Sequence, residues 1–370
     1  MSDSTRRDFL AAGLILPAAL QAAPEPAAKA DLRYRVLGKT GLKVTTVGMG
    51  AVLITDPSVV ARAADLGVNH FDTARDYQGS NSERVIGPVL KSRRDRVVIA
   101  TKTGAETRQG VLADLELSLK ELQTDYIDIL YIPGRKAAAE ITDELLEAHR
   151  IAKQQGKIRF TGVSTHKGHA EVIPAVVKNP HVDVLESSYN FTMDPSIEAL
   201  IESARKAGKG VVTMKVMAGG YKNGADAERR RGAMLAALKW VLRNPNVHST
   251  AVSMADTDQL EEDLRAMAEP FSEADRKVLL AQLEHIGPLY CRMCGRCEGA
   301  CPRGLPVADV LRYLTYADGY GQFAMGRQKF LALPAETRSV RCGDCPSCPV
   351  RCPFGVEVAK RLHRAQEIFG

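Results

Sequence analysis

Between residues 32 and 267, short apolar runs alternate with longer stretches whose apolar positions recur every three or four residues. The short runs read as buried strands, at 46–50, 69–72, 97–101, 127–132, 159–163, 182–187, 211–215 and 249–253. The longer stretches read as amphipathic helices, at 82–90, 111–122, 143–155, 196–207 and 232–242. Within 111–122, positions 112, 115, 119 and 122 are apolar and fall near one helix face. Apolar strands that alternate with helices predict an α/β fold with a parallel sheet. Eight such units in about 235 residues fit a (β/α)8 TIM barrel. A doubly wound sheet is the competing architecture, but no Gly-x-Gly-x-x-Gly follows the first strand.

The pattern changes after residue 267. Residues 268–290 read as a linker helix, opened by Pro270 and Ser272 and closed by Gly287-Pro288. Residues 306–331 read as helical, with Tyr313, Leu314 and Tyr316 on or near one face and most simply read as packing. Around them lie all eight cysteines, in two copies of one spacing. Cys291, Cys294, Cys297 and Cys301 precede Pro302; Cys342, Cys345, Cys348 and Cys352 precede Pro353. The domains expected are therefore 1–30, a barrel at 31–267, the linker helix at 268–290 and a cysteine-bearing domain at 291–370.

Composition narrows the class. The chain is 45% hydrophobic and 25% charged, as in ordinary soluble proteins. Its net charge of +6 is scattered, with no basic run that would suggest nucleic acid. No apolar run reaches the ~18–20 residues of a membrane span, so no stable membrane insertion is expected.

The cysteine spacing resembles the bacterial ferredoxin motif, in which three thiolates hold one [4Fe–4S] cluster and the fourth reaches the other. The pairing this resemblance implies is crossed: Cys291, Cys294, Cys297 and Cys352 for one cluster, and Cys342, Cys345, Cys348 and Cys301 for the second. Two four-cysteine zinc sites and a disulfide framework are the alternatives; zinc ribbons usually pair two separated C-x2-C units instead. At the N-terminus, Arg6-Arg7-Asp8-Phe9-Leu10 before a weakly apolar core resembles a twin-arginine export signal. The alternative is a plain tail with an accidental Arg pair. That route is understood to carry folded proteins, so clusters inserted first would escape oxidation of the thiols in the periplasm.

The strings "YRVLGKTGLKVTTVGMG" (34–50), "GVNHFDTARDYQGSNSERVIG" (67–87), "TKTG" (101–104), "DYIDILYI" (125–132), "GKIRFTGVSTH" (156–166), "SSYN" (187–190) and "ALKWVLRNPNV" (237–247) resemble the aldo/keto reductases, in the right order. By themselves, Asp72, Tyr77 and Lys102 could equally be a buried ion pair with a packing tyrosine. The resemblance makes them catalytic: Tyr77 protonates a carbonyl oxygen, Lys102 lowers the phenol's pKa, and Asp72 holds Lys102. It implies NAD(P), contacted by Ser164 and Glu186 at the nicotinamide, by Gly219 and Gly220 at the pyrophosphate, and by Ser253, Thr257 and Glu262, with Gln259, at the adenosine.

The departures are specific. The family's active-site His is replaced by Pro133, which has no side-chain donor. His166 could substitute for it. Glu186 stands where an amide is usual, the stacking aromatic is replaced around Met214-Lys215, and no cation favours NADP over NAD. His70 reads as a packed interior histidine. The function expected is an exported, periplasmic oxidoreductase in which a barrel-bound carbonyl or alcohol substrate, or a nicotinamide, exchanges electrons with two [4Fe–4S] clusters, with a redox partner protein as a further partner. The alternative is an electron-carrier or partner-docking module with a catalytically decayed barrel.

Overall fold

A computed structural model describes residues 31–219 and 232–370. The expected export signal and Gly220 lie outside the described residues.

Eight parallel strands close into a barrel: β3 (Val47–Gly50), β4 (His70–Asp72), β5 (Val98–Lys102), β6 (Ile127–Arg135), β7 (Ile158–Thr165), β8 (Val184–Ser188), β9 (Gly210–Met214) and β10 (Ser249–Ser253), with β10 pairing back onto β3. Each expected strand is present within a few residues. Helices α1 (Pro57–Leu66), α2 (Ser82–Leu90), α3 (Arg108–Leu122), α4 (Asp143–Gln154), α5 (His169–Lys178), α6 (Ser196–Lys206), α7 (Ala233–Leu242) and α8 (Thr257–Leu264) surround it. Local chemistry sets several starts. Asp56 accepts from the Ser58 amide ahead of α1, Thr107 from Gly110 ahead of α3, and Thr142 from Leu145 ahead of α4. The apolar faces of strands and helices meet in one continuous layer that includes Phe71, Ile99, Leu130, Leu185 and Leu238.

A hairpin that the hydrophobic pattern did not announce, β1 (Tyr34–Val36) and β2 (Lys43–Thr45), inserts Leu37, Leu42 and Val44 among the inward-facing Val98, Ile129, Val184 and Val212. Gly38 backs onto the chain at 208–210, before and at the start of β9, so the hairpin plugs the N-terminal end. The other end is left for chemistry, as in barrels of this kind.

Helix α9 (Glu273–Ile286) opens with a reciprocal capping box between Ser272 and Asp275, where a helix start was expected. Beyond it come α10 (Val307–Asp318), α11 (Phe323–Leu331), α12 (Ala335–Ser339) and α13 (Val358–Phe369). Val310, Leu314, Phe330, Leu362 and Phe369 form their separate core, with six of the eight cysteines packed against it. The described residues from 268 onward contain helices and no strand, so the likeness to ferredoxins extends to the cysteine spacing and not to a sheet. Ligand spacing constrains only the chain around the ligands; the apolar period of 307–318 decides the rest.

This helical module sits on the barrel's C-terminal end. Lys329 faces Asp76 after β4 at 3.6 Å, and Asp309 takes Lys136 after β6 and Lys167 after β7, both at 3.1 Å. Lys167 also reaches Glu298 at 2.6 Å. Arg292 donates to the Thr192 carbonyl at 3.1 Å, and Arg296 faces Asp194 at 3.5 Å, both after β8. Gly219, after β9, packs beneath Thr315 and Tyr290. The module thus caps the mouth.

Candidate active site

Asp72 ends β4 and Lys102 ends β5, so adjacent strands deliver both side chains to the mouth. Both are buried, at 3% and 5% exposure. The Lys102 ammonium is hydrogen-bonded to Asp72 and donates to the Thr73 carbonyl at 3.1 Å. Glu186 on β8 approaches the same ammonium at 3.6 Å. Tyr77 lies in the turn after β4, with Lys102 Nζ 5.5 Å from its ring centre. The structure therefore brings Asp72, Tyr77 and Lys102 together and adds Glu186.

The electrostatics differ from expectation at Tyr77. Burial pushes the phenol's pKa up; Lys102 pulls it down, but Asp72, Glu186 and Asp76 side with burial, and the net direction is upward. Tyr77 is therefore a protonated donor at neutral pH, and the expected lowering by Lys102 does not prevail. Lys102 is raised above its ordinary value: burial opposes its charge, but Asp72 and Glu186 outweigh burial. Glu186 is pushed up to about 7, by burial first and by Asp72 second. It is consequently not the permanent acceptor its charge suggests, because near neutrality it also carries a proton to donate.

Tyr131 on β6 was missed. It pairs in register with Lys102, its hydroxyl is buried without a partner, and Lys102 Nζ lies 5.2 Å from its ring centre. Gly162 on β7 makes room for that ring; a Cβ there would collide with it. The alternation of inward positions on β6 was the available signal, but Tyr131 sits in an apolar run that reads as core.

His166 follows β7. Burial first, then Arg312, Lys215 and Lys102, hold its pKa well below the ordinary value, so it is neutral, and its Nδ1 is buried with no partner. It faces the mouth, as the sequence allowed. Pro133 lies on β6 beside a shift of register and brings no donor. His70 is an interior residue, bonded through Nδ1 to Ser249 at 2.8 Å.

A sequence profile described as the aldo/keto reductase family matches residues 55–234. L-galactose dehydrogenase of Arabidopsis thaliana is 28% identical over 302 residues, covering 69% of this chain and 94% of that protein. L-glyceraldehyde 3-phosphate reductase of Escherichia coli K12 is 25% identical over 311 residues, covering 64% and 88%. A solved aldo-keto reductase from Bacillus halodurans superposes with a TM-score of 0.57 over 68% of this chain and 96% of its own, and at 24% identity shows the shared fold. The barrel is similar to the aldo/keto reductases in sequence and in fold.

That family is one of oxidoreductases that commonly use NAD(P), so the residues expected to hold the dinucleotide can be tested against it. Ser164 is buried, and its hydroxyl accepts from the Gly134 amide at 2.9 Å. Glu186 is engaged with Lys102 instead of presenting an amide. Lys215 offers an ammonium where a stacking ring is needed. Gly219, with φ +109°, is covered by the module, and its carbonyl backs onto Gly319. Ser253 and Thr257 remain on the β10 side of the mouth, while Glu262 accepts from the Gly232 amide at 3.2 Å. The nicotinamide and pyrophosphate halves thus fit poorly in this barrel.

The cysteines converge as two sets. Cys291 lies in the electrostatic field of Cys294, Cys297 and Cys352, and Cys342 in that of Cys301, Cys345 and Cys348. All eight thiols are free. Among the described residues, no three His, Cys, Asp or Glu side chains close around a single metal ion. No described helix is long and apolar enough to cross a membrane.

Proposed function

We propose that this protein is an exported iron–sulfur oxidoreductase of the aldo/keto reductase type, with a small carbonyl or alcohol substrate in the barrel and a [4Fe–4S] cluster on each cysteine set. The observation that carries the reading is the sorting of the cysteines: each set takes three from one run and one from the other, as two-cluster ligation requires. When bound, each cluster would exchange one electron, so two match the two electrons exchanged between an alcohol and a carbonyl, the two accompanying protons passing separately, one through Tyr77 to oxygen and one from solvent to carbon.

The barrel residues supply the rest. Tyr77, kept neutral by burial, donates a proton to the substrate oxygen as negative charge develops there. Lys102 stabilises that charge and is itself oriented by Asp72 and the Thr73 carbonyl. His166, neutral and unpartnered at Nδ1, orients the substrate oxygen in place of the histidine that Pro133 displaces. The module excludes water by covering the mouth.

Pro133 and the poor nicotinamide fit favour a second reading, an electron carrier built on a decayed barrel. The two are separated by anaerobic purification, iron and sulfide counting, and a screen of the reoxidation of reduced clusters by small carbonyl compounds. Substrate-dependent reoxidation that is lost in Tyr77→Phe supports the enzyme; reoxidation by no substrate, with clusters intact, supports the carrier. Export belongs to the same reading and rests on Arg6-Arg7.

A further inference from the structure

Where the module meets the barrel, a cavity of about 40 Å³ is lined by Lys215 after β9, Ser188 at the end of β8 and Thr192 beyond it, and by Arg292, Arg312 and Tyr316 of the module. Elsewhere along this seam the cations are matched: Lys136, Lys167, Arg296 and Lys329 each face a carboxylate. The three cations around the cavity are not. Among the described residues, Lys215, Arg292 and Arg312 have no carboxylate within 4.0 Å. Arg312 donates to the Tyr316 hydroxyl at 2.8 Å, and Lys215 Nζ stands 5.4 Å from that ring's centre. Burial opposes the charge of both Tyr316 and Lys215 and the cations nearby lower the phenol, so both are brought to about 8; at pH 7 Tyr316 is mostly a neutral phenol and Lys215 mostly an ammonium. Lys215 also adopts the left-handed conformation, φ +60°, unusual for a residue with a side chain and typical of functional positions.

The cavity lies at the barrel mouth, against the ends of β8 and β9. Glu186 lies in the fields of both Lys102 and Lys215, and His166 in those of Lys102, Lys215 and Arg312. The volume admits a charged headgroup and little more. Arg312 offers a planar fork that suits carboxylate or phosphate, and Lys215 a point charge.

We infer that this cavity binds an oxyanion group carried by the barrel's substrate, with Lys215 and Arg312 holding the charged end while the reacting carbon faces Tyr77. The inference rests on the proposed oxidoreductase reading and deepens it: the substrate class becomes anionic carbonyl or alcohol compounds, and the helical module becomes part of the substrate site.

The test is isothermal titration of the full-length, anaerobically prepared holoprotein with oxalate and, separately, with inorganic phosphate at low ionic strength. Saturable binding of at least one is expected, and the tighter probe distinguishes a carboxylate from a phosphate headgroup. Lys215→Met and Arg312→Gln should each weaken it by about tenfold or more, with Arg312→Lys recovering part of the loss. Failure of both anions to bind the wild type, or equal affinity in the wild type and both charge-removing variants, overturns the inference. If Arg312→Gln does not fold, judged by melting and iron content, Lys215→Met alone decides. No turnover is read, so a negative result here leaves the redox reading intact, whereas a protein without iron would sink that reading and leave anion binding standing.

Discussion

Tyr77 and Glu186 show what burial does to a site that looks familiar in sequence. A buried phenol beside one ammonium and three carboxylates holds its proton, so Tyr77 acts by donating. Tyr77→Phe should lower substrate-dependent turnover by about a hundredfold or more while leaving iron content unchanged; undiminished turnover would remove Tyr77 from the chemistry. Glu186 titrates at about 7 in the folded protein against an ordinary value of 4.5. As pH falls through 7, the folded state takes up a proton that the unfolded chain accepts only near 4.5, so this group makes the protein more stable at pH 5 than at pH 8. Glu186→Gln removes the buried charge. It should raise the melting temperature by about 3 °C or more at pH 8 and by less at pH 5. An equal shift at both pH values contradicts the assignment. Asp72, Lys102 and Tyr77 were legible in the sequence through the resemblance to the aldo/keto reductases; their places at or just beyond strand ends would by themselves equally suit a buried ion pair. The direction of the Tyr77 shift was not, because it depends on how many carboxylates share the pocket.

At the scale of elements, the eight barrel strands were legible because each is an apolar run buried on both faces. The β1–β2 hairpin was not: its strands are three residues each, and Tyr34 and Val36 remain exposed, so they carry no burial pattern. Close packing of β6 on β7 depends on a missing side chain at Gly162, beneath the Tyr131 ring. Gly162→Ala should cost about 2 kcal/mol, read as a lower denaturant midpoint with an unchanged slope; an unshifted midpoint would show that the ring has room to move. The linker helix α9 was legible from Pro270 and Ser272 at its start and Gly287-Pro288 at its end, because such start and stop signals are local. The meeting of Lys215 with Arg312 was not legible, since it arises from docking between elements distant in the chain.

At the scale of the whole molecule, a helical, cysteine-bearing module is fastened over the mouth of the barrel. Paired charges on the loops after β4, β6, β7 and β8 fix its seat. Cys291 lines the cavity at the seam, which places the set of Cys291, Cys294, Cys297 and Cys352 nearest the substrate. Export of the folded protein should fail when Arg6 and Arg7 are both changed to Lys, read as precursor retained inside the cell; continued export would reject the twin-arginine reading. The crossed sets make a sharper demand. Cys352→Ser, although in the second run, should disturb the cluster that belongs to the first run, and Cys301→Ser the converse. The most direct measurement is the iron and acid-labile sulfide content of the full-length protein purified without air. The account predicts about eight of each per chain, for two [4Fe–4S] clusters. Zinc in their place, or neither iron nor sulfide, contradicts it.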